Sequence, residues 1–391
     1  LLAFFAHSFW LYAGIAAIIL TVAQKRERNP VALFFMLLFL MPPSGAEIPG
    51  FGVVNYFFVL NHVRLLAFFV LLPAFLALRR RPDTIPFGRT WPDKLLAANI
   101  VLTSLLYLRE TTVTDALRQT LYLFIEVFLP YYVASRALRN LSDFKDALFA
   151  FVVAAMVMSL IGLFEYSRNW LLYSALNNAL GMQWDMSTYL TRGGSLRASV
   201  TTGQAIALGF VISVASGLYL YLQEDVRSRL QRGLGALLLA GGRYAPLSRG
   251  PWVGTAVMIV VFIGTGRKAV KRLMLLALAG VLALPLLAVV PGGQKVLDLL
   301  PFIGTVEAEN ITYRQQLIDN AMIVIQRNPW LGSFDYRSTP DMQSLTQGQG
   351  IIDIVNTYIG IALSVGLIGL TLFVCFFAAV LLGIRKGMRS F

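Results

Sequence analysis

Long uncharged apolar runs are the feature that most constrains this chain. Leu11 to Ala23, Ala147 to Phe164, Thr255 to Gly264, Leu273 to Val290 and Leu367 to Ile384 each lack Asp, Glu, Lys and Arg. Runs of this kind, with mildly polar flanks that can still be buried, read as membrane-crossing helices, because lipid leaves a backbone no partner but itself. A hydrophobic fraction of 57%, only 14% charged residues and a mean hydropathy of +0.68 leave too little polar sequence for a soluble domain to stand alone.

The net charge of +13 raises nucleic acid as a partner, but the basic residues fall in short clusters between apolar runs. Lys25/Arg26/Arg28, Arg79/Arg80/Arg81/Arg89/Lys94, Arg136/Arg139/Lys145, Arg227/Arg229/Arg232, Arg267/Lys268/Lys271/Arg272 and Arg385/Lys386/Arg389 hold 21 of the 33 Lys and Arg. That is the positive-inside pattern, so these loops are expected in the cytoplasm and no nucleic-acid surface is expected. Alternating the clusters across the bilayer predicts about eleven spans, at 3–23, 31–42, 63–78, 95–108, 119–134, 147–164, 200–222, 233–247, 250–266, 273–291 and 353–384. The expectation is a single all-α polytopic domain over 1–391, with two large extracytoplasmic loops at 165–199 and 292–352. The chain opens at Leu1, in a first run too long and too weakly flanked for a cleaved signal peptide, so a further N-terminal segment is expected.

The second loop carries a helix signal over 312–326, with Thr312 as N-cap and Asn328-Pro329 as stop. Gly360, Gly366 and Gly369 interrupt the last apolar run, predicting a short helix from about 353 that meets the span proper near Gly366. No internal repeat marks the chain as a transporter of repeat architecture. The single cysteine, Cys375, excludes a disulfide framework within one chain.

Against the cytoplasmic clusters, Arg192, Arg197, Arg249, Arg314, Arg327 and Arg337 stand apart, in the outer loops or at their edges. Guanidinium forks match phosphate oxygens, and helix starts add favourable partial charge, so these arginines are candidates for holding an anion. The competing reading is headgroup snorkelling or pairing with a carboxylate; Arg249, in a tight turn between spans, fits it least. Candidate proton acceptors on the same side are Asp353, Glu165 and Asp185, with an N-cap as the competing role for Asp353 and an ion pair with Arg168 for Glu165. Trp184 and Tyr189 could stack on sugar faces or sit in an interfacial aromatic belt. The close pair Glu307-Ala-Glu309 lacks a third ligand nearby, so neither a metal nor another cofactor is expected.

Three elements together resemble a known family. Leu247-Ser-Arg-Gly-Pro-Trp-Val-Gly254, then Tyr313-Arg-Gln-Gln-Leu317 followed by Asn328-Pro-Trp-Leu-Gly332, then Asn356 with Gly366-Leu-Ile-Gly369 are similar to signature elements of the O-antigen ligase and Wzy-type polysaccharide polymerase superfamily. The resemblance covers roughly 150–391 and implies a GT-C-like, metal-independent membrane glycosyltransferase at the periplasmic face of the bacterial inner membrane. It implies an undecaprenyl-diphosphate-linked glycan donor and a glycan acceptor, with membrane lipids and other polysaccharide-assembly proteins as partners. Arg197, Arg249 and Arg314 match arginines that hold the carrier diphosphate, and Asn356 falls in the glycan-binding element. Ligases carry a histidine just before this Asn; here the position is Val355, with Asp353 two residues earlier, which favours the exopolysaccharide polymerase-like branch over an O-antigen ligase. A lipid-linked oligosaccharide flippase is the rival class, but it needs cations through the membrane depth, and only Arg243 could answer to that.

Overall fold

The structure, a computed structural model, describes residues 2–52, 54–181, 189–266, 268–290, 293, 297, 308–346, 350–354 and 356–389. The chain is mostly helical. Its longer elements in order are α1 Phe9–Arg26, α2 Pro30–Leu40, the strands β1 Gly45–Pro49 and β2 Tyr56–Asn61, α3 His62–Arg80 and α4 Trp91–Glu110. Then follow α5 Val113–Leu123, extended by a π-helical turn Phe124–Phe128 and Leu129–Ala137, α6 Leu141–Arg168, a small hairpin of β3 Thr191–Arg192 and β4 Ser195–Leu196, α7 Ala205–Leu222 and α8 Arg229–Tyr244. The series ends with α9 Arg249–Gly264, α10 Ala269–Val289, α11 Ala308–Arg327 and α12 Thr357–Arg389.

Each expected span overlaps a described helix at least in part. Among the described residues, five helices are long and apolar enough to cross a membrane: His62–Arg80, Leu141–Arg168, Ala205–Asp225, Ala269–Leu286 and Thr357–Arg389; Pro30–Leu40 and Arg249–Gly264 are apolar but shorter. The helix starts follow local chemistry. Asn29 accepts from the Val31 and Ala32 amides ahead of Pro30, Thr90 and Asp93 form a capping box, and Asn140 accepts from the Asp143 amide.

The chain gathers into two compact units, 1–48, 59–74 and 133–306 in the first, 49–58, 75–132 and 307–391 in the second. In the first, α6 runs against α2, α7 and α8 around a core that includes Val152, Met158, Leu208, Ile212, Tyr219 and Leu239. Gly209 of α7 touches Pro251 so closely that a Cβ there would stand 2.7 Å from the Pro251 ring, and this draws the start of α9 against α7. In the second, α4 packs along α12, and Leu317, Ala321, Val324, Tyr336, Met342 and Leu363 enclose a smaller core.

Two boundary expectations are corrected. The loop helix begins at Ala308 rather than Thr312, so Thr312 is not its N-cap and Arg314 lies beyond its first turn. The last helix begins at Thr357, capped by Asn356, whose Oδ1 accepts from the Tyr358 and Ile359 amides at 2.9 and 3.3 Å; Asp353 precedes it outside any helix. The second shift follows from the cap: Asn356, not Asp353, meets the first amides of the helix. The expected break is present: Gly366 has φ 69° and ψ −173°, a region open in practice only to glycine.

Candidate functional site

In the first unit the site is assembled around the end of α6. Asn169 closes that helix in the left-handed region, and its Oδ1 accepts from the Leu196 amide at 3.2 Å. Glu165, 1% exposed, directs both carboxylate oxygens into the loop that follows. One accepts from the Leu172 amide at 3.1 Å, the other from the Ser199 and Val200 amides at 3.1 and 3.0 Å. Val200 is held at φ 48°, unfavourable for a β-branched residue, and these two bonds fix it there. The carboxylate therefore ties the beginning of the loop to its end, immediately after Arg197.

Between those ties, Gly193 and Gly194, both at positive φ, turn the β3–β4 hairpin. The hairpin sends two guanidinium groups onto the turn between α8 and α9. Arg192 donates through Nη1 to the Leu247 carbonyl, and Arg197 donates through Nε to the Pro246 carbonyl at 3.2 Å and through Nη2 to Ser248 Oγ at 2.9 Å. The backbone adds a bond from the Ala198 amide to the Ala245 carbonyl at 3.1 Å. Arg249, half-buried, is the first residue of α9. The structure thus brings Arg197 to the turn that carries Arg249 and adds Arg192, a third arginine that motif reading left without a role. Guanidinium groups thus gather beside the start of α9, where the helix adds positive partial charge. Tyr189 keeps its ring exposed while its hydroxyl accepts from the Leu171 amide at 3.3 Å, so a face is available for stacking. Trp184 and Asp185 lie outside the described residues.

The second unit joins the remaining motif residues. The Tyr313 hydroxyl donates to the Asp353 carbonyl at 3.1 Å and accepts from the Asp353 amide at 3.0 Å, pinning the segment before α12 to α11. Asp353 and Arg314 are both exposed. Downstream, Asn328-Pro329 ends α11 and the chain enters the break in α12. The Leu367 and Ile368 amides donate to the Pro329 and Trp330 carbonyls at 2.8 and 3.2 Å, and the Ser333 amide donates to the Leu363 carbonyl at 2.8 Å. These bonds satisfy backbone groups that the interruption frees on both sides of Gly366. A Cβ on Gly332 would lie 2.5 Å from the Leu363 carbonyl oxygen, and one on Gly366 2.2 Å from that of Trp330, so the glycines of two motifs are the two halves of one joint.

The joint is fastened from α4, a contact the motifs gave no hint of. Glu110 accepts from Ser333 Oγ at 3.0 Å and the Phe334 amide at 2.6 Å, Arg109 pairs with Glu110 and donates to the Gly332 carbonyl at 2.8 Å, and Tyr107 stacks on Phe334 with centroids 3.9 Å apart. Burial pushes the Glu110 carboxyl upward, but the bonds from Arg109, the Phe334 amide and Ser333 outweigh it and hold the group below the usual carboxylate range. Among the described residues no group of three or more His, Cys, Asp or Glu stands ready to share a metal ion. Val355 and Glu307 fall outside the described residues.

Both ends of the broken-helix joint, and the turn bearing Arg249, lie in one stretch of sequence that can be compared with known families. Residues 234–374 match the family described as O-antigen ligase. The match bears out the resemblance read from the motifs, to the O-antigen ligase and Wzy-type superfamily, whose members are membrane enzymes acting on lipid-linked glycans. No curated protein and no solved structure matches the chain. Within the O-antigen ligase segment fall Arg249, Arg314, Asp353, Asn356 and both joint glycines; Glu165, Arg192, Arg197, Tyr189 and Glu110 lie before it.

Proposed function

We propose that this chain is an inner-membrane polysaccharide polymerase of the Wzy type, which extends undecaprenyl-diphosphate-linked repeat units at the periplasmic face, in the exopolysaccharide-like branch of its superfamily. The observation that carries the reading is the arginine-bearing turn at 245–249, gripped by Arg192 and Arg197 and lying inside the O-antigen ligase segment. Arg197 and Arg249 take the carrier diphosphate, and the resemblance gives Arg314 the same kind of role. Their charge stabilises the diphosphate as the bond from the sugar anomeric carbon to its phosphate oxygen breaks. Asp353, exposed in the segment that Tyr313 pins, removes the proton from the attacking acceptor hydroxyl, whose oxygen forms the new bond to the anomeric carbon. Asn356 spends its Oδ1 on the helix cap and has its amide nitrogen left to address a sugar, and Tyr189 offers a stacking face, as Trp184 does by its residue type.

Glu165 fits a positioning part better than a proton-accepting one, since three backbone amides occupy its oxygens. The second reading within the class is an O-antigen ligase; Val355 in place of the ligase histidine counts against it. Deleting the gene and resolving the surface polysaccharide on a gel separates them. Single repeat units should accumulate; full-length polymer that never reaches its final acceptor would instead identify a ligase.

A further inference from the structure

Arg243 is the penultimate residue of α8, next to the turn that Arg192 and Arg197 grip, yet its side chain runs away from that turn. Side chains on a helix lean toward its N-terminus, and Arg243 follows this direction: Nη2 donates to Ser216 Oγ on α7 at 2.6 Å. The level of Ser216 can be read from its neighbours. Gly209 of α7 stands beside Ser248 and Pro251, and Ser216 lies about two helical turns, roughly 10 Å, farther along α7. The guanidinium is thus drawn into the helix bundle, the opposite of an arginine reaching for the nearest interface.

Among the described residues nothing in its surroundings balances the charge. The sequences of α7, α8 and α9 contain no Asp or Glu. Glu165 at the end of α6 has both oxygens committed to backbone amides. Ser216 Oγ donates to the Ile212 carbonyl and can offer Arg243 only a neutral acceptor, while Arg243 Nε is enclosed and has no acceptor. A guanidinium held among apolar helices without a counter-charge is costly, and such residues mark places where an anion arrives.

We propose that Arg243 is a ligand for the phosphate end of a lipid, forming a second tier of positive charge below the turn that carries Arg249. This rests on the lipid-carrier reading above and adds a residue to it. Ser216 keeps the guanidinium in one orientation until phosphate oxygens supply the missing charge. An isoprenyl diphosphate carrier and an anionic phospholipid headgroup share this chemistry.

The test uses the purified full chain in phosphatidylcholine nanodiscs, probed with geranylgeranyl diphosphate and, separately, with phosphatidylglycerol built into the disc. Arg243→Gln keeps a donor for Ser216 and removes the charge. It should unfold at the parent's temperature or above, while its affinity for geranylgeranyl diphosphate falls about tenfold or more, if the carrier is the ligand. If the headgroup is the ligand, the stabilisation that phosphatidylglycerol gives the parent should vanish in the variant instead. Arg243→Gln that unfolds earlier and keeps both lipid responses would make Arg243 a packing residue and overturn the inference. Should that variant fail to fold, Arg243→Lys, which keeps the charge on a narrower head, must show weakened lipid response in a folded protein; a parental response overturns the inference equally. Arg249→Lys in the same discs separates the two claims. Lost diphosphate affinity there, with none lost in Arg243→Gln and no headgroup effect, defeats this inference alone; unchanged affinity in Arg249→Lys defeats the carrier reading.

Discussion

Replacing Glu165 by Gln distinguishes a scaffold from a proton acceptor, because the two roles predict opposite patterns of stability and activity. In the structure one carboxylate oxygen serves two amides, from Ser199 and Val200, and the other serves Leu172. A glutamine can turn its oxygen to the pair, but its NH2 then faces the Leu172 N–H, donor against donor. One charge-assisted bond, worth about 1.5–3 kcal/mol, is lost, a buried N–H is left unmet, and the remaining two bonds weaken to neutral strength. Burying an amide instead of a carboxylate returns part of this, leaving a net loss of about 2 kcal/mol. At roughly 2–4 °C per kcal/mol, the unfolding temperature in detergent should fall by about 4–8 °C. Polymer formation at a permissive temperature should survive at more than half the parent's rate per folded molecule, since the loop carrying Arg197 still closes. A Glu165→Gln protein with the parent's unfolding temperature and no activity would refute the argument and return Glu165 to the role of catalytic base.

Three further substitutions address the other parts of the site. Arg249→Lys keeps charge but loses the planar fork, so polymer yield at equal protein level should fall about ten- to a hundredfold; near-normal yield would make Arg249 a headgroup contact. Gly366→Ala places a Cβ 2.2 Å from the Trp330 carbonyl oxygen and forces alanine to φ 69°, so the protein should lose stability by about 1–3 kcal/mol from backbone strain alone, with more from the clash; an unchanged unfolding temperature would mean the joint is not built as described. Asp353→Asn should leave folding and donor binding intact, because Asn356 and not Asp353 caps α12, while polymerisation stops; loss of donor binding, or full activity, would remove Asp353 from the role of base.

What the sequence displayed and what it withheld divide along a physical line. Apolar runs, Asn328-Pro329 and Gly366 act locally, through solvent transfer and backbone sterics, and each was legible as a helix, a stop and a break. The O-antigen ligase motifs were legible as three separate elements. Their union was not: that Gly332 and Gly366 meet, or that the hydroxyl of Tyr313 holds both backbone groups of Asp353, depends on residues far apart in the chain. Glu165 looked like a proton acceptor because a carboxylate beside an outer loop gives no sign of the amides that will reach it. Glu110 gave no signal at all, since its partners Ser333 and Phe334 are distant and its own surroundings read as the end of a span. Arg192 was visible as an unusual charge, but its aim at the Leu247 carbonyl follows from the Gly193-Gly194 turn closing the hairpin, a geometry fixed only once β3 and β4 pair.

The most direct test of the proposed function is reconstitution of the purified chain in liposomes with an undecaprenyl-diphosphate-linked repeat unit as the sole glycan. A polymerase should convert it to a ladder of products spaced by one repeat unit, releasing undecaprenyl diphosphate in step with each new linkage; Asp353→Asn should abolish the ladder and Arg249→Lys should weaken it about ten- to a hundredfold. Substrate that crosses the bilayer without any new glycosidic bond, or is consumed only when a different acceptor glycan is supplied, would contradict the account.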